Sequence, residues 1–516
     1  MKSLIHASVR YLGFNPVSLL RQTRQMRTFV RSYVPVVKSA DQTQHFAVVV
    51  MPWFATAVPW FSIACGVFLA SVGARVTFVV DTIVFGDNAF RSRVMLGCIR
   101  RVLAALSGQF EVLEINGSAL KKPLDAGQRA SVARFAKLNA VWAMRGEMLD
   151  QGRSKYTERS LRQLELSARA IHELFEHHSF DCVLVPGGVY GSTGVWAEIA
   201  RANCFRLASF DSGGRGIVML AANGIACQLQ DIPRAYELLK ADVKTQEERL
   251  FVQNTALAEL DRRHAGIDRF SSQVRDAGDL DSRFDGAVLF ALNSPWDSAA
   301  LGRHEIFDSS AQWIVESVRY LLERTSARIV VRQHPAERFE SGRSSDDYAK
   351  LLRENFGDDR RLIFIAAGDP VNSYDLLERV SVVVVYTSTI GIEAALKGKV
   401  VITPSSSYYS GLGFVWCAVA LDRYQKLLTD AVAGRCVVSQ QMRDDALFCY
   451  YLTQCCNWVS SPFCPEGFND WIRIPFEELK KHEQLKATIG ALRDNIPISF
   501  LMHLSRVRLR AEAGSQ

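Results

Sequence analysis

The sequence VVVVYTSTIGIEAALKGKVVITP (382–404) decides the fold class of the second half of the chain. A run of valines ends in a Thr/Ser turn, a short helical stretch with one glutamate follows, and a second apolar run closes the segment. Apolar runs of this length on either side of a helical pattern are typical of buried parallel strands. The stretch therefore predicts a strand, a turn, a helix and a parallel strand, with the turn at the carboxyl edge of a sheet.

The same alternation extends over most of the chain. Strand-like runs of the second half occur at 286–293, 327–335, 361–367, 380–387 and 399–404. Those of the first half occur at 46–51, 74–81, 110–115, 181–186 and 205–211. Because strands that alternate with helices favour parallel sheets covered on both faces, we expect an α/β protein with two Rossmann-like domains that face a central cleft.

A chain of 516 residues exceeds what one hydrophobic core usually supports, so two domains are expected. The polar, charge-rich segment 240–285 is the predicted junction between them. The predicted segments are an N-terminal arm (1–45), an N-terminal Rossmann-like domain (46–275), a C-terminal Rossmann-like domain (276–455) and a C-terminal helical segment (456–516).

Composition indicates a globular protein, and the formal net charge of +7 comes largely from residues 1–40, which contain no acid. The bases of this arm are Lys2, Arg10, Arg21, Arg24, Arg27, Arg31 and Lys38. Asn15 and Pro16 predict the start of an amphipathic helix, which either lies on an anionic membrane surface or packs on the first domain. Since the basic excess is confined to the arm and no groove-reading motif is present, nucleic acid is not an expected partner.

Residues 46–74 carry no charge and are long enough to span a bilayer, but Pro52 and Pro59 interrupt them. A strand, a helix at 60–73 and a second strand fit the pattern better. The 11 cysteines are scattered without the spacing of a metal site, so we predict reduced, mostly buried thiols, no metal and a cytoplasmic location. The N-terminus lacks the apolar segment of a secretory signal.

The turn after the 380–387 strand is the first candidate site. Thr387, Ser388 and Thr389 offer hydroxyls, Gly391 would let a ligand approach the backbone, and free amides at a helix start favour a phosphate. Simple capping by Thr389 is the alternative. Glu393 lies one residue too far along for a capping box, and its position suits ribose hydroxyls.

Two further turns of the second half carry polar side chains. In VVRQHPAER (330–338), Pro335 fixes the turn so that His334 and Arg332 can point into the cleft and donate to a phosphate. In NSPWDS (293–298), Asn293 and Asp297 follow the first strand of the domain, although an ordinary capped turn explains them equally well.

The first half contributes VPGGVYGSTG (185–194) and ASFDSGGRG (208–216). Their glycines free the backbone between a strand and a helix, and Asp211 ends the next strand. A carboxylate that faces a phosphate site across a cleft suits a general base or a nucleophile for group transfer. The alternative is that Asp211 caps the turn that follows it.

NSPWDS, a strand ending in RQHP, and YTSTIGIEAALKGKVV, in that order, resemble the capsule polysaccharide biosynthesis proteins, bacterial glycosyltransferases of the GT-B type that include Kdo transferases. The resemblance is good over 286–415 and looser over 46–230. The His-Pro and Ser/Thr turns are also similar to those of bacterial sialyltransferases. Two features depart from the family pattern, namely an Asp at 211 where many relatives have Glu and the absence of a proline after KGK.

The resemblance implies a nucleotide-sugar donor in the C-terminal domain, with His334, Ser388 and Thr389 at the phosphate and Glu393 near the ribose or base. It also implies a polysaccharide or glycolipid acceptor in the N-terminal domain, with Asp211 and His334 as catalytic residues. The remaining donor-binding candidates are Asn293, Asp297, Arg332, Thr387 and Gly391. No cofactor and no metal are implied, and the enzyme would be cytoplasmic or peripheral at the inner membrane.

Three alternatives remain open at the level of sequence. A polyol-phosphate transferase of the teichoic-acid type shares the Arg-x-His-Pro strand end, although an Asp would be expected in place of Glu393. A sugar-nucleotide epimerase of the same architecture would need no glycan acceptor. A non-catalytic scaffold that kept the fold would bind no nucleotide.

Overall fold

The computed structural model describes residues 15–33, 44–54, 56–83, 89–117, 122–148, 151–214, 216–267 and 280–514. The chain divides into two compact units. Unit 1 comprises Met1–Lys137, Thr157–Cys227 and Trp458–Gln516. Unit 2 comprises Leu138–Tyr156 and Gln228–Asn457.

The strands of the described residues lie close to the predicted positions. They are β1 (His45–Val50), β2 (Arg75–Asp81), β3 (Glu111–Ile115), β4 (Cys182–Pro186), β5 (Arg206–Ser212), β6 (Ile217–Ala221), β7 (Val288–Ala291), β8 (Ile329–Arg332), β9 (Leu362–Ile365), β10 (Val382–Val385), β11 (Val400–Thr403), β12 (Trp416–Cys417) and β13 (Val459–Ser460). β6, β12 and β13 were not predicted, and β12 and β13 have only 2 residues each.

The helices that accompany these strands begin with the N-terminal arm and end at the C-terminus. They are α1 (Pro16–Arg31), α2 (Val58–Ser71), α3 (Ala89–Leu103), α4 (Ala126–Met144), α5 (Gln151–His177), α6 (Thr193–Ala202), α7 (Ile232–Asp242), α8 (Gln246–His264), α9 (Ser310–Arg324), α10 (Tyr348–Phe356), α11 (Ser373–Arg379), α12 (Ile390–Leu396), α13 (Leu421–Val432), α14 (Gln440–Tyr450), α15 (Phe468–Trp471), α16 (Phe476–Leu479), α17 (Glu483–Asp494) and α18 (Ile498–Gly514). A π-helical segment, Tyr451–Cys456, continues α14.

The sheet of unit 1 has the order β13-β6-β5-β4-β1-β2-β3. Its central pairs, from β5 through β4, β1 and β2 to β3, are parallel, whereas β6 and β13 add to one edge in antiparallel orientation. The carboxyl ends of β1, β4 and β5 are therefore neighbours at one edge of the sheet.

The sheet of unit 2 has the order β12-β11-β10-β7-β8-β9, and every pair in it is parallel. Its central strands are fully buried and consist of Val, Ile, Leu and Phe apart from their last residues Ala291 and Arg332, as expected for a parallel sheet covered on both faces. The predicted α/β class with two Rossmann-like domains is confirmed. The order of strands brings the ends of β10, β7 and β8 together.

The uncharged stretch 46–74 forms β1, α2 and the turn before β2, as the strand and helix interpretation predicted. α2 is apolar on all sides because it is buried within the core of unit 1 rather than in lipid. Among the residues that the structure describes, no helix is long and apolar enough to cross a membrane.

The basic arm contains a helix, α1, whose start is capped where the sequence predicted. The Asn15 side chain accepts a hydrogen bond from the Ser18 N–H at 3.1 Å. Met26, Phe29 and Val30 are buried in the core of unit 1, so the packing alternative is what the structure shows for this face of the helix. Its arginines Arg21, Arg24 and Arg31 are exposed. Lys2, Arg10 and Lys38 lie outside the described residues.

The division into units has no boundary near the predicted 275/276, whereas unit 2 ends at Asn457, close to the predicted 455/456. The described part of 240–285 contains α8, which packs on the π-helical segment of unit 2, and the Arg263 guanidinium donates to the Gln454 side chain at 3.2 Å. Unit 2 therefore begins again at Gln228 rather than after the charge-rich segment. Residues 138–156 also belong to unit 2, which no feature of their sequence indicated.

Candidate functional site

The carboxyl ends of the unit 2 strands bring several of the predicted site residues together. Because β7 and β10 are neighbours, Asn293 and Thr387 meet, and the Asn293 Oδ1 accepts a hydrogen bond from the Thr387 N–H at 3.2 Å. Thr387 is 5% exposed, and its hydroxyl has no hydrogen-bond partner among the described residues. A buried hydroxyl without a partner costs about 1–3 kcal/mol, so this turn favours a polar ligand.

The Ser388 and Thr389 side chains continue this turn and are half-buried. Thr389 occupies the position before α12, yet its side chain makes no capping hydrogen bond. Simple capping by Thr389 therefore does not explain the hydroxyls. α12 has only 7 residues, so its dipole adds little, and the hydroxyls themselves are the main polar feature of the turn.

Gly391 has a different role from the one predicted, because it is buried rather than open to a ligand. A Cβ atom at this position would lie 2.8 Å from the Tyr409 hydroxyl oxygen and 2.9 Å from Val385 Cγ2. The same Tyr409 hydroxyl donates to the Ser388 carbonyl at 2.8 Å. Gly391 therefore makes room for a tyrosine that holds the backbone of the turn.

Glu393 is buried and paired, whereas the sequence placed it at an open ribose site. Its carboxylate is 2% exposed, and Oε1 lies 2.9 Å from the Arg263 Nε. Arg263 also donates to the Tyr374 hydroxyl at 2.9 Å. Arg263 was missed because it lies in α8, far earlier in the chain, within a segment that read as a polar linker. A ligand would reach Glu393 only by displacing part of this pair.

His334 lies at the end of β8 and is half-buried. Its Nδ1 accepts a hydrogen bond from the Ala336 N–H at 3.3 Å, so the ring proton of the neutral imidazole is on Nε2. Burial, with the positive charges of Arg332 and Arg263, lowers the pKa of His334 from 6.5 to about 4. At neutral pH, His334 is therefore an uncharged hydrogen-bond donor.

Arg332 does not point into open space. It is 2% exposed, and its guanidinium donates to the carbonyls of Ala366 and Val371, in the loop that follows β9. This arrangement differs from the prediction, in which Arg332 donates directly to a phosphate. The side chain is held by the neighbouring loop, while its charge still acts on His334.

The loop after β7 is joined to the His-Pro turn by a buried carboxylate that the sequence did not single out. Glu337 accepts hydrogen bonds from the Ser294 hydroxyl at 3.1 Å and from the Gln333 amide at 2.8 Å. Asp297, in the same loop, is exposed and accepts from the Ala299 N–H at 3.1 Å. Asp297 therefore both caps a turn and presents a carboxylate to solvent.

Another group that the sequence did not single out, formed by His304, Tyr386 and Glu147, lies at the start of the Thr/Ser turn. The His304 ring joins the Tyr386 hydroxyl, 2.7 Å from Nδ1, to the Glu147 carboxylate, 2.7 Å from Nε2. The other Glu147 oxygen accepts from the Ser310 N–H, at the start of α9, at 2.6 Å. Because a carboxylate only accepts, Nε2 carries the proton and Tyr386 donates to Nδ1. The group fixes the end of β10 from which the turn departs.

In unit 1, the two glycine-containing turns that the sequence singled out converge. Asp211, in β5, is half-buried, and its Oδ1 accepts from the Ser212 N–H at 2.8 Å. Tyr190, in the turn after β4, lies near it. Burial and the Asp211 charge together raise the pKa of Tyr190, which therefore stays protonated.

The comparison with protein families concerns the second half of the chain. A family model described as capsule polysaccharide biosynthesis protein matches residues 277–443. No curated protein matches the chain.

Several solved structures are similar to parts of the chain. KpsC of Thermosulfurimonas dismutans, as a β-Kdo 2,4 transferase, is 19% identical over 52% of this chain and 79% of that one, with a TM-score of 0.35. The β-Kdo 2,7 transferase of the same KpsC is 18% identical over 51% and 80%, with a TM-score of 0.29. The UDP-GlcNAc 2-epimerase of Methanocaldococcus jannaschii is 13% identical over 83% and 98%, with a TM-score of 0.26.

The matched residues 277–443 include NSPWDS, RQHP and YTSTIGIEAALKGKVV, on which the resemblance was based. They also include every strand of the unit 2 sheet. Residues 277–443 therefore match the family model of the capsule polysaccharide biosynthesis proteins, which confirms the resemblance stated from the sequence.

Proposed function

We propose that the protein is a metal-independent glycosyltransferase of the GT-B type that acts in surface polysaccharide assembly. It would move a sugar, Kdo or a related one, from a nucleotide-sugar donor to a growing capsular polysaccharide or glycolipid. The observation that carries the proposal is that the capsule-family segment includes the sheet edge where Asn293 and the Thr/Ser turn meet.

The donor phosphate would lie at the ends of β8 and β10. His334 Nε2–H and the hydroxyls of Ser388 and Thr389 are donors without formal charge. The positive charges that lower the His334 pKa, those of Arg332 and Arg263, would also favour a bound anion. Preorganised donors and a positive potential are what a departing phosphate requires.

The nucleoside would lie further along the same edge. Asn293 and the exposed Asp297 offer oxygen acceptors for hydroxyl or amino groups, and the unpartnered Thr387 hydroxyl offers a donor. Glu393 would take part by exchanging some of its contact with Arg263 for ribose hydroxyls. Gly391 would contribute indirectly, through the packing of Tyr409 against the turn.

The reaction would join an acceptor hydroxyl oxygen to the anomeric carbon of the donor sugar. The bond from that carbon to the phosphate oxygen breaks, and the bonding electrons leave with the nucleotide. Asp211 would take the proton of the attacking hydroxyl as general base, while His334 would donate a hydrogen bond to the leaving phosphate.

A thermal-shift panel of CMP, UDP, GDP and CDP, followed by a transfer assay with the nucleotide that binds, tests the proposal. We expect one nucleotide to raise the melting temperature, and the shift to be lost in His334→Gln. Release of CMP from CDP-glycerol would instead favour a polyol-phosphate transferase. An epimerised sugar formed from donor alone would favour an epimerase, and the absence of any nucleotide shift would favour a scaffold.

The exposed arginines of α1 support a second part of the proposal, which is peripheral attachment to the cytoplasmic face of the inner membrane. Basic side chains on an amphipathic helix are each worth about 1 kcal/mol at an anionic surface. We expect the protein to float with vesicles that contain phosphatidylglycerol but not with pure phosphatidylcholine, and Arg21→Glu/Arg24→Glu to weaken flotation. Equal flotation of that variant and of the Lys350→Glu/Lys426→Glu control would contradict attachment through α1.

A further inference from the structure

Two aromatic side chains follow neighbouring strands of the unit 1 sheet and stack on each other. Trp53 comes three residues after β1, and Tyr190 lies in the turn after β4, the strand that pairs with β1. Their ring centroids are 5.8 Å apart, with an angle of 20° between the planes. Both residues are half-buried.

The turn that carries Tyr190 is held in place by its own hydrogen bonds. The Gly188 N–H donates to the Thr193 hydroxyl oxygen at 3.2 Å, and the Thr193 hydroxyl donates to the Tyr190 carbonyl at 2.7 Å. Gly187 and Gly188 have φ values of 70° and 100°, a region that suits glycine. The ring of Tyr190 is thus positioned before any ligand arrives, which lowers the entropic cost of binding.

Trp53 packs over the same turn. A Cβ atom placed on Gly187 would lie 3.7 Å from Cη2 of Trp53 and 3.9 Å from Cζ of Tyr190, so both rings border the Gly187 backbone. The Gly187 N–H in turn donates to the Phe210 carbonyl of β5 at 2.8 Å. The aromatic pair is therefore supported by main chain that is bonded to the strand of Asp211.

A half-buried carboxylate completes the group. Asp211 is the residue after Phe210, and its charge reaches Tyr190. Asp211 pairs with Met219 across the β5–β6 hairpin, which fixes its position at the edge of the sheet. An aromatic face and a carboxylate side by side form an amphipathic surface, with one part apolar and the other accepting hydrogen bonds.

This combination matches a sugar ring better than a nucleotide. A pyranose has an apolar face of C–H groups that lies on aromatic rings, and hydroxyls at its edge that donate to carboxylates. A nucleobase also stacks on aromatic rings, but the phosphates attached to it would be repelled by Asp211.

We propose that Trp53 and Tyr190 form an acceptor platform, on which a pyranose ring of the glycan stacks and presents a hydroxyl to Asp211. The inference rests on the proposed function, since it names the acceptor subsite of that reaction. Trp53 and Tyr190 are then binding residues, and their loss raises the KM for the acceptor while the KM for the donor stays unchanged.

Transfer kinetics of Trp53→Ala and Trp53→Phe test the platform, with Trp142→Ala as control because Trp142 is 40% exposed and belongs to unit 2. We expect Trp53→Ala to raise the acceptor KM about tenfold, the effect of one lost stacking interaction, and Trp53→Phe to restore most of it. An unchanged acceptor KM in Trp53→Ala, or an equal rise in the Trp142→Ala control, would overturn the platform.

Two binding measurements separate this inference from the proposed function. The nucleotide thermal shift should be the same in Trp53→Ala and in the natural sequence, and its loss in the variant would mean that the rings hold the nucleotide base instead. Binding to an array of bacterial polysaccharide fragments needs no donor. Reduced array binding of Trp53→Ala would support the platform even if no nucleotide bound, and unchanged array binding would contradict it.

Discussion

The two sheets present different chemistry at the carboxyl ends of their strands. The edge of unit 1 offers stacked aromatic rings and a half-buried carboxylate, Asp211. The edge of unit 2 offers hydroxyls, the Asn293 amide and the neutral imidazole of His334, and its buried Glu393 is already paired with Arg263. Under the proposed function, the first edge would recognise the acceptor sugar and the second the donor phosphate.

The two edges also differ in how their charged side chains are held. Glu393 and Arg332 are each 2% exposed and held by protein partners, so their charges act through space and through the turns that they support. Asp211 keeps partial access to solvent and can exchange protons. Removing a buried charge should therefore affect stability first, whereas removing Asp211 should affect chemistry first.

The largest effect is expected from Glu393→Ala. The substitution leaves the Arg263 guanidinium, whose side chain is 13% exposed, without its carboxylate. It should lower the free energy of unfolding by about 3–5 kcal/mol, measured by chemical denaturation. The double variant Glu393→Leu/Arg263→Met should recover most of the loss, because no uncompensated charge remains. Asp211→Asn is the matched change in unit 1 and should alter the same free energy by less than about 0.5 kcal/mol. Equal destabilisation by Glu393→Ala and Asp211→Asn would remove the contrast between the edges.

Asp211→Asn and His334→Gln should both impair transfer activity but differ in their effect on nucleotide binding. Each should lower the turnover number at least about 100-fold, the usual contribution of a proton-transferring or hydrogen-bonding catalytic group. Asp211→Asn should retain the nucleotide-induced thermal shift, whereas His334→Gln should lose most of it. A variant of Asp211 that no longer binds nucleotide would place the donor, rather than the acceptor, at the edge of unit 1.

The stability of the protein should depend on pH through His334. Because the folded state lowers the His334 pKa to about 4 while the unfolded chain keeps about 6.5, the unfolded state binds the proton first as the pH falls. The free energy of unfolding should therefore decrease between pH 6.5 and about 4, more in the natural sequence than in His334→Gln. Denaturation series of the two proteins across that range measure the difference, and parallel curves would show that His334 titrates normally.

The smallest effect is expected from Thr387→Val. The hydroxyl of Thr387 has no hydrogen-bond partner in the part of the chain that the structure describes, so an isosteric methyl group should leave the free energy of unfolding unchanged or raise it by up to about 1 kcal/mol. If the hydroxyl contacts the donor, the KM for the nucleotide sugar should rise several-fold in the same variant. Thr403→Val is a suitable control, since the Thr403 hydroxyl hydrogen-bonds within the fold at 3.0 Å to the Tyr386 carbonyl, and it should destabilise instead.

The long apolar strands and the helices between them could be predicted from sequence, because burial on both faces leaves a continuous pattern. The edge strands β6 and β13 could not, since β13 has 2 residues and depends on pairing with a distant hairpin. Nothing in the sequence indicated that unit 2 resumes at Gln228. Charge-rich α8 has the composition of a linker, yet its Arg263 is half-buried and pairs with Glu393 of the second half of the chain.

Within the site, positions were predicted better than contacts. The turns that carry Asn293, His334 and Thr387 do lie at one sheet edge, as the order of parallel strands requires. The partners of Glu393 and Arg332 come from α8 and from the loop after β9, and the tyrosine that explains Gly391 comes after β11. Sequence spacing contains no information about such long-range pairs, and the roles of the individual residues in binding stay predictions.

Residues 138–156 have a consequence for anyone who wishes to produce a smaller version of the protein. The chain enters unit 2 twice, so an expression clone of 277–443 alone would lack Glu147, which holds the ring of His304, and Arg263, which neutralises Glu393. Such a fragment would contain every recognisable motif, but the His304 ring and the Glu393 carboxylate would lack these partners. A productive truncation would need to splice in the missing pieces, rather than follow the limits of sequence similarity.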